Sequence, residues 1–161
     1  MAPAAAPASW PDLAGRLERD ASGLVHRLPI RVYFEDTDFS GLVYHASYVR
    51  WCERGRSDFL RLRGNDHRAL IDGIAGKEPA AFVVRRMTLD FMKPARIDDV
   101  LEVETRVREL TAATLVLGQR VLRDGTALFE AEVTVVLVSQ TGKVLRLSQA
   151  LRSALSPSTK N

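Results

Sequence analysis

Asp36 and Asp38 stand two residues apart in the run RVYFEDTDFSGLVYHASYVRWCERGRSDF, residues 31–59, just ahead of Gly41 and a long amphipathic segment. Carboxylates so placed suit carbonyl chemistry. The start of a helix offers unpaired backbone N–H groups and a partial positive charge, which can hold a developing oxyanion. A carboxylate a few residues earlier can face those donors as nucleophile or general base. On residue chemistry alone, the two aspartates serve equally well as turn caps.

The elements that must position these groups are readable from periodicity. Leu28, Ile30, Val32 and Phe34 alternate, so residues 28–35 are expected as the first strand. Gly41 allows a tight turn. The long helix is expected from Ser47, a good N-cap, and Gly64 should follow its end as the C′ residue. Tyr48, Trp51, Cys52, Gly55, Phe59 and Leu62 fall on one helical stripe. Gly55 there costs up to about 1 kcal/mol of helix propensity, which points to close approach of helix and sheet. A short helical turn at residues 67–72 precedes strands at 80–91, 100–108, 113–122, 127–138 and 144–147, with a terminal helix at 148–155.

This order predicts an α+β fold, an antiparallel sheet curled around one long helix. Residues 28–147 form the domain, and residues 148–161 a C-terminal helix and tail. Residues 1–27 read as an extension, Ala/Pro-rich and disordered at first, with a short helix over residues 9–20.

Composition removes several functions. The 161 residues are 46% hydrophobic and 27% charged, ordinary for one globular domain. The net charge of +3 is spread along the chain without a basic block among aromatics, so nucleic acid is not an expected partner. A mild positive field suits an anionic substrate. No apolar run reaches the length of a membrane span, and the N-terminus lacks the pattern of a secretory signal. The single Cys52 fits a reducing, cytoplasmic compartment and reads as a core residue. No metal-ligand spacing, nucleophile elbow or dinucleotide fingerprint occurs, so neither metal nor cofactor is expected.

The run V-Y-F-E-D-T-D-x-x-G-L-V-Y-H-A-S-Y, followed by W-C-E-R-G-R, resembles the signature of the hot-dog acyl-CoA thioesterases. It is closest to the YbgC type, associated with the Tol-Pal system, within the 4-hydroxybenzoyl-CoA thioesterase-like group. F-V-V-R-R-M-T-L-D-F-M-K-P-A-R-I-D-D and E-A-E-V-T-V-V-L-V extend the likeness, so it spans about residues 28–147. The resemblance implies a hot-dog fold and hydrolysis of acyl-CoA, or of an acyl carrier protein thioester, to a free acid. Coenzyme A enters only as part of the substrate.

The resemblance also assigns Asp38 as nucleophile or general base and His45 as its active-site companion. Gly41, Tyr44 and His45 are the expected oxyanion and substrate-binding positions. Arg85, Arg86, Lys93 and Arg96 are the cations expected near the coenzyme A phosphates. The family position of a tyrosine holds Phe34, while Tyr33 is retained. Glu35 and Asp36 read as electrostatic neighbours or turn formers, Glu53 as an ion-paired or solvated helix residue and His67 as a surface residue. Family members assemble as homodimers or homotetramers. Two alternatives remain: a hot-dog dehydratase or hydratase, and a non-catalytic acyl-ligand-binding subunit of an envelope-associated assembly.

Overall fold

The computed structural model describes residues 15–73 and 77–157. Seven strands are present: β1 (Arg16–Asp20), β2 (Gly23–Arg31), β3 (Ala80–Phe91), β4 (Val100–Leu110), β5 (Thr114–Arg123), β6 (Thr126–Ser139) and β7 (Val144–Leu145). The helices are α1 (His45–Leu62), α2 (His67–Asp72) and α3 (Gln149–Leu155). All pairings are antiparallel, in the order β1-β2-β4-β5-β6-β3, with β7 on β6. The sheet wraps α1, which is the hot-dog arrangement.

Alternation in the strands sets which side chains meet the helix. Leu101, Val103 and Thr105 of β4 are buried, as are Leu115, Leu117, Gln119 and Val121 of β5 and Phe129, Ala131, Val133 and Val135 of β6. Against them α1 buries Tyr48, Trp51, Cys52, Gly55, Arg56, Phe59 and Leu60. The expected stripe therefore holds through Phe59 and ends on Leu60 rather than Leu62, which is only half-buried. Burial pushes the Cys52 thiol up to about 12, so it packs as a small apolar group.

Gly55 marks the close approach. A Cβ there would lie 2.9 Å from Val103 Cγ1 and 3.1 Å from Thr105 Oγ1. Next to it Gln119 joins helix to sheet. Its Nε2 donates to the Cys52 carbonyl at 2.8 Å and to Thr105 Oγ1 at 2.9 Å, while its Oε1 accepts from Arg56 Nη1 at 2.9 Å. The buried polar atoms at this contact are thus hydrogen-bonded, as their desolvation requires.

The N-terminal region departs from expectation. Of residues 9–20, those before Gly15 lie outside the described residues, and Arg16–Asp20 is a strand, not a helix. The next strand starts at Gly23, ahead of the expected Leu28, and ends at Arg31, short of the expected Glu35. Phe34–Asp36 forms instead a 3-10 turn. The spacing of Leu13 and Leu17 fits a helix, but Gly23, with φ +106°, turns the chain into a hairpin whose bonds reach from Arg16 to Arg27. That hairpin is held in turn by the pairing of β2 with β4 and by the contact of His26 with α1, which outweigh helix spacing in so short a segment.

The hairpin is built into the domain. His26 and Val25 are fully buried. His26 Nε2 lies 2.7 Å from Asp58 Oδ2 on α1, which also accepts from the Gly15 N–H at 2.6 Å. Burial pushes the imidazole below its ordinary value, against the opposing pull of Asp58. On the outer face Arg27 pairs with Glu102, and with Glu104 at 3.2 Å. Burial raises the Glu104 carboxyl, but Arg106 and Arg120 outweigh that and hold it below the usual carboxylate range.

Two outcomes follow from this packing. A variant lacking residues 1–27 loses β1, half of β2 and the burial of Val25, a side chain worth about 1.5–3 kcal/mol by itself. Its melting midpoint is expected to fall by more than about 10 °C; an unchanged midpoint in circular dichroism would make the hairpin dispensable. Gly55→Ala gains about 1 kcal/mol of helix propensity but forces an overpacked contact costing about 1–3 kcal/mol. The expected net is a destabilisation of about 1 kcal/mol in urea unfolding, and a stabilised variant would show that helix and sheet can part there.

Candidate active site

The segment between β2 and α1 folds back on itself. Thr37 bridges Val43, the Asp38 N–H donates to the Leu42 carbonyl at 3.0 Å, and the Gly41 N–H donates to the Asp38 carbonyl at 3.0 Å. Gly41 has φ +80°, a conformation its lack of a Cβ allows. Asp38 therefore opens a four-residue turn, exposed to solvent. Its Oδ1 accepts from the Ser40 N–H at 2.8 Å and the Ser40 hydroxyl at 2.5 Å. These bonds, the hydroxyl's first, hold the Asp38 carboxyl below its ordinary value, and the nearby His45 ring adds to the effect.

Asp36 has a different task. It is buried, and its carboxylate accepts from the Tyr33 N–H at 2.9 Å, closing the 3-10 turn. Its carbonyl accepts from the Tyr44 N–H at 2.8 Å and from the Ser47 hydroxyl at 3.2 Å. The turn-forming role read from the sequence is what the structure shows. Glu35 lies in the same 3-10 turn, exposed.

The helix begins earlier than expected. Its first residue is His45, its cap is Tyr44, and no side chain caps it. Ser47 is not the N-cap, because its hydroxyl is taken by Asp36. The first turn is therefore left open. The Ser47 N–H bonds the Tyr44 carbonyl, whereas the His45 and Ala46 N–H groups have no acceptor among the described residues. The Tyr44 and Gly41 N–H groups are both committed within the loop, which leaves the His45 N–H, with the first helical turn, as the expected oxyanion donor.

Beside this open turn lies a cavity of about 260 Å³, lined by Leu42, His45, Tyr48, Phe91, Met92 and Lys93 among others. Aromatic packing shapes it. Tyr48 stacks on Phe129 at 5.3 Å, Phe91 meets Phe129 edge-on at 5.0 Å, and His45 lies between Tyr44 at 4.4 Å and Phe91 at 6.2 Å. The Tyr48 hydroxyl is fixed by the Ala95 N–H at 3.0 Å. Phe91, Tyr48 and Ser40 were not singled out for the site from sequence. Tyr48 and Phe91 stand within the motif runs while Ser40 falls at a variable position of the motif, and Phe91 reaches Tyr48 and His45 because the end of β3 lies beside the start of α1.

The cationic candidates divide. Lys93 borders the cavity, and Arg96 bridges Leu42. Arg85 and Arg86 lie on β3 at or beside a bulge, about 17–20 Å of strand before Phe91. They are not gathered at the site. Phe34 is 85% exposed, so the ring at the family's tyrosine position faces solvent. Glu53 is eight residues along α1 from His45, about 12 Å of rise, and accepts from the Ser57 hydroxyl at 2.7 Å. His67 is half-buried and bonds the Ser57 carbonyl at 3.1 Å, a structural contact rather than a free surface position. Among the described residues no cluster of His, Cys, Asp or Glu could hold a metal, and no helix is long and apolar enough to cross a membrane.

Comparison with known proteins agrees with this architecture. The model of the thioesterase superfamily matches residues 40–130. The chain is 47% identical over 113 residues to the acyl-CoA thioester hydrolase YbgC of Escherichia coli O6:H1, covering 70% of this chain and 81% of that protein. It is 40% identical over 110 residues to the acyl-CoA thioesterase YbgC of Haemophilus influenzae, covering 68% and 78%. The crystal structure of a probable thioesterase from Bartonella henselae superposes with a TM-score of 0.74 at 43% identity, over 77% of this chain and 99% of that one. A family model over more than half of the chain and relatives at 40–47% identity agree with a sheet wound about one helix: the chain belongs to the thioesterase superfamily, as a hot-dog thioesterase of the YbgC type.

Proposed function

We propose that this chain is an acyl-CoA thioesterase, cleaving the thioester to a free acid and coenzyme A, with Asp38 as its reacting carboxylate. The observation that carries the reading is a solvent-exposed Asp38 on the turn that leads into the uncapped N-terminus of α1. The thioester lies across the cavity floored by Tyr48 and Phe91, with its carbonyl oxygen toward the His45 N–H.

Asp38 then adds to the carbonyl carbon or removes a proton from the water that does. The carbonyl oxygen becomes an oxyanion, held by the first-turn N–H groups and the helix dipole. Collapse breaks the carbon–sulfur bond and releases the thiolate, which needs little acid help because a thiol ionises near pH 8–9. Lys93, which borders the cavity, and Arg96, whose backbone bridges Leu42, are the cations we assign to the anionic portion of the substrate. A dehydratase reading is disfavoured because Glu53, the helical acid it would pair with His45, is about 12 Å along the axis. The cytoplasm is the compartment that fits the free thiol and the acyl-CoA substrate.

The working unit is at least a dimer. The edge strand β3 exposes Val83, Val84, Leu89 and Phe91 to between 36% and 47%, beside unpaired backbone groups, and a second copy adding its own β3 would cover both. Light scattering at micromolar concentration should give twice the 17.9 kDa chain mass or more. A monomer would remove the dimer from the reading.

Asp38→Asn keeps the size of the side chain and removes its charge. Its kcat on acyl-CoA substrates should fall by about 10²–10⁴-fold, with a much smaller change in KM. Glu53→Gln should leave turnover nearly intact, and Asp36→Asn should act first on stability through the turn it closes. A folded Asp38→Asn enzyme with normal turnover would end the assignment.

A further inference from the structure

We infer that Ser40 is a positioning residue for the Asp38 carboxylate, tying down Oδ1 and leaving Oδ2 to face the thioester carbonyl. The inference rests on Asp38 being the reacting group. An exposed aspartate turns easily about its last torsion, whose energy wells are broad. Here both donors of Ser40, backbone and hydroxyl, converge on one oxygen, Oδ1. The hydroxyl has one proton to give, and its direction is set from behind. The Leu42 N–H donates to Ser40 Oγ at 3.3 Å, which occupies a lone pair and turns the proton toward Asp38. Among the described residues, Oδ2 accepts no hydrogen bond.

The arrangement has a chemical consequence. Bonds to a carboxylate are strengthened by its charge and favour the ionised form. Asp38 therefore stays ionised to lower pH than an ordinary aspartate, in keeping with its depressed value. Loss of the hydroxyl must move its titration upward. The turn itself survives that loss, because the Gly41 N–H to Asp38 carbonyl and Asp38 N–H to Leu42 carbonyl bonds are made by backbone alone.

The test uses the full chain with Ser40→Ala, Ser40→Thr and Asp38→Asn. Carbon NMR of labelled aspartate follows the Asp38 carboxyl directly, assigned by its disappearance in Asp38→Asn. Hydrolysis of a saturated short-chain acyl-CoA is followed by loss of thioester absorbance. In Ser40→Ala the Asp38 midpoint should rise and kcat should fall about 3–10-fold with KM nearly unchanged, the size expected for one hydrogen bond. Ser40→Thr should restore both. A folded Ser40→Ala protein whose Asp38 midpoint stays in place overturns the inference while leaving the role of Asp38 standing. Normal turnover in Asp38→Asn would instead overturn the parent reading, and the inference with it.

Discussion

The structure depends on how closely α1 can approach the sheet wrapped around it. Gly55 removes the side chain that would strike Val103 and Thr105, and Gln119 uses the shortened distance to bond the helix backbone and Arg56 at once. A sheet and a helix stripe each bury their apolar side only against the other. Where they touch most closely, the polar atoms must also be matched, or their desolvation would cancel the gain. The contact therefore fixes both the depth of the helix and its rotation. That rotation turns His45 and Tyr48 toward Phe91 at one end of β3.

Chemistry is placed where this packing leaves a backbone unfinished. Most helices close their first turn with a side-chain oxygen. Here the residue suited to that task, Ser47, lies inside the helix and bonds the Asp36 carbonyl instead. Asp36 thus anchors the strand-to-helix connection twice, through its side chain and its carbonyl. Asp38, two residues on, is left at an exposed turn beside free N–H groups. One aspartate holds the frame and the other is free to react, and burial separates them.

The charged contacts around the N-terminal hairpin follow a different rule. Glu104 is buried among Arg27, Arg106 and Arg120, and Asp58 is shared by His26, Arg61 and the Gly15 N–H. Removing one member of such a group leaves a charge or a donor stranded. These contacts join the N-terminal hairpin to both α1 and the middle of the sheet. They make that hairpin part of the domain, although nothing in its apolar pattern marks it as such.

The long helix, the strands from Ala80 to Leu145, the packing of Cys52 and the turn-forming reading of Asp36 were legible in the amino-acid pattern. Each rests on a period, a turn residue or a local preference that acts over a few neighbours. The motif set Asp38 and His45 on either side of Gly41, a spacing that is a local matter. Three-dimensional contacts made Arg16–Asp20 a strand and brought Lys93, rather than Arg85 or Arg86, to the cavity. The first outcome is set by the pairing with β2 and the buried contact of that hairpin with α1, the second by which end of β3 lies beside the start of the helix. Such choices follow from the sheet's pairing and the helix's depth, which no local preference encodes.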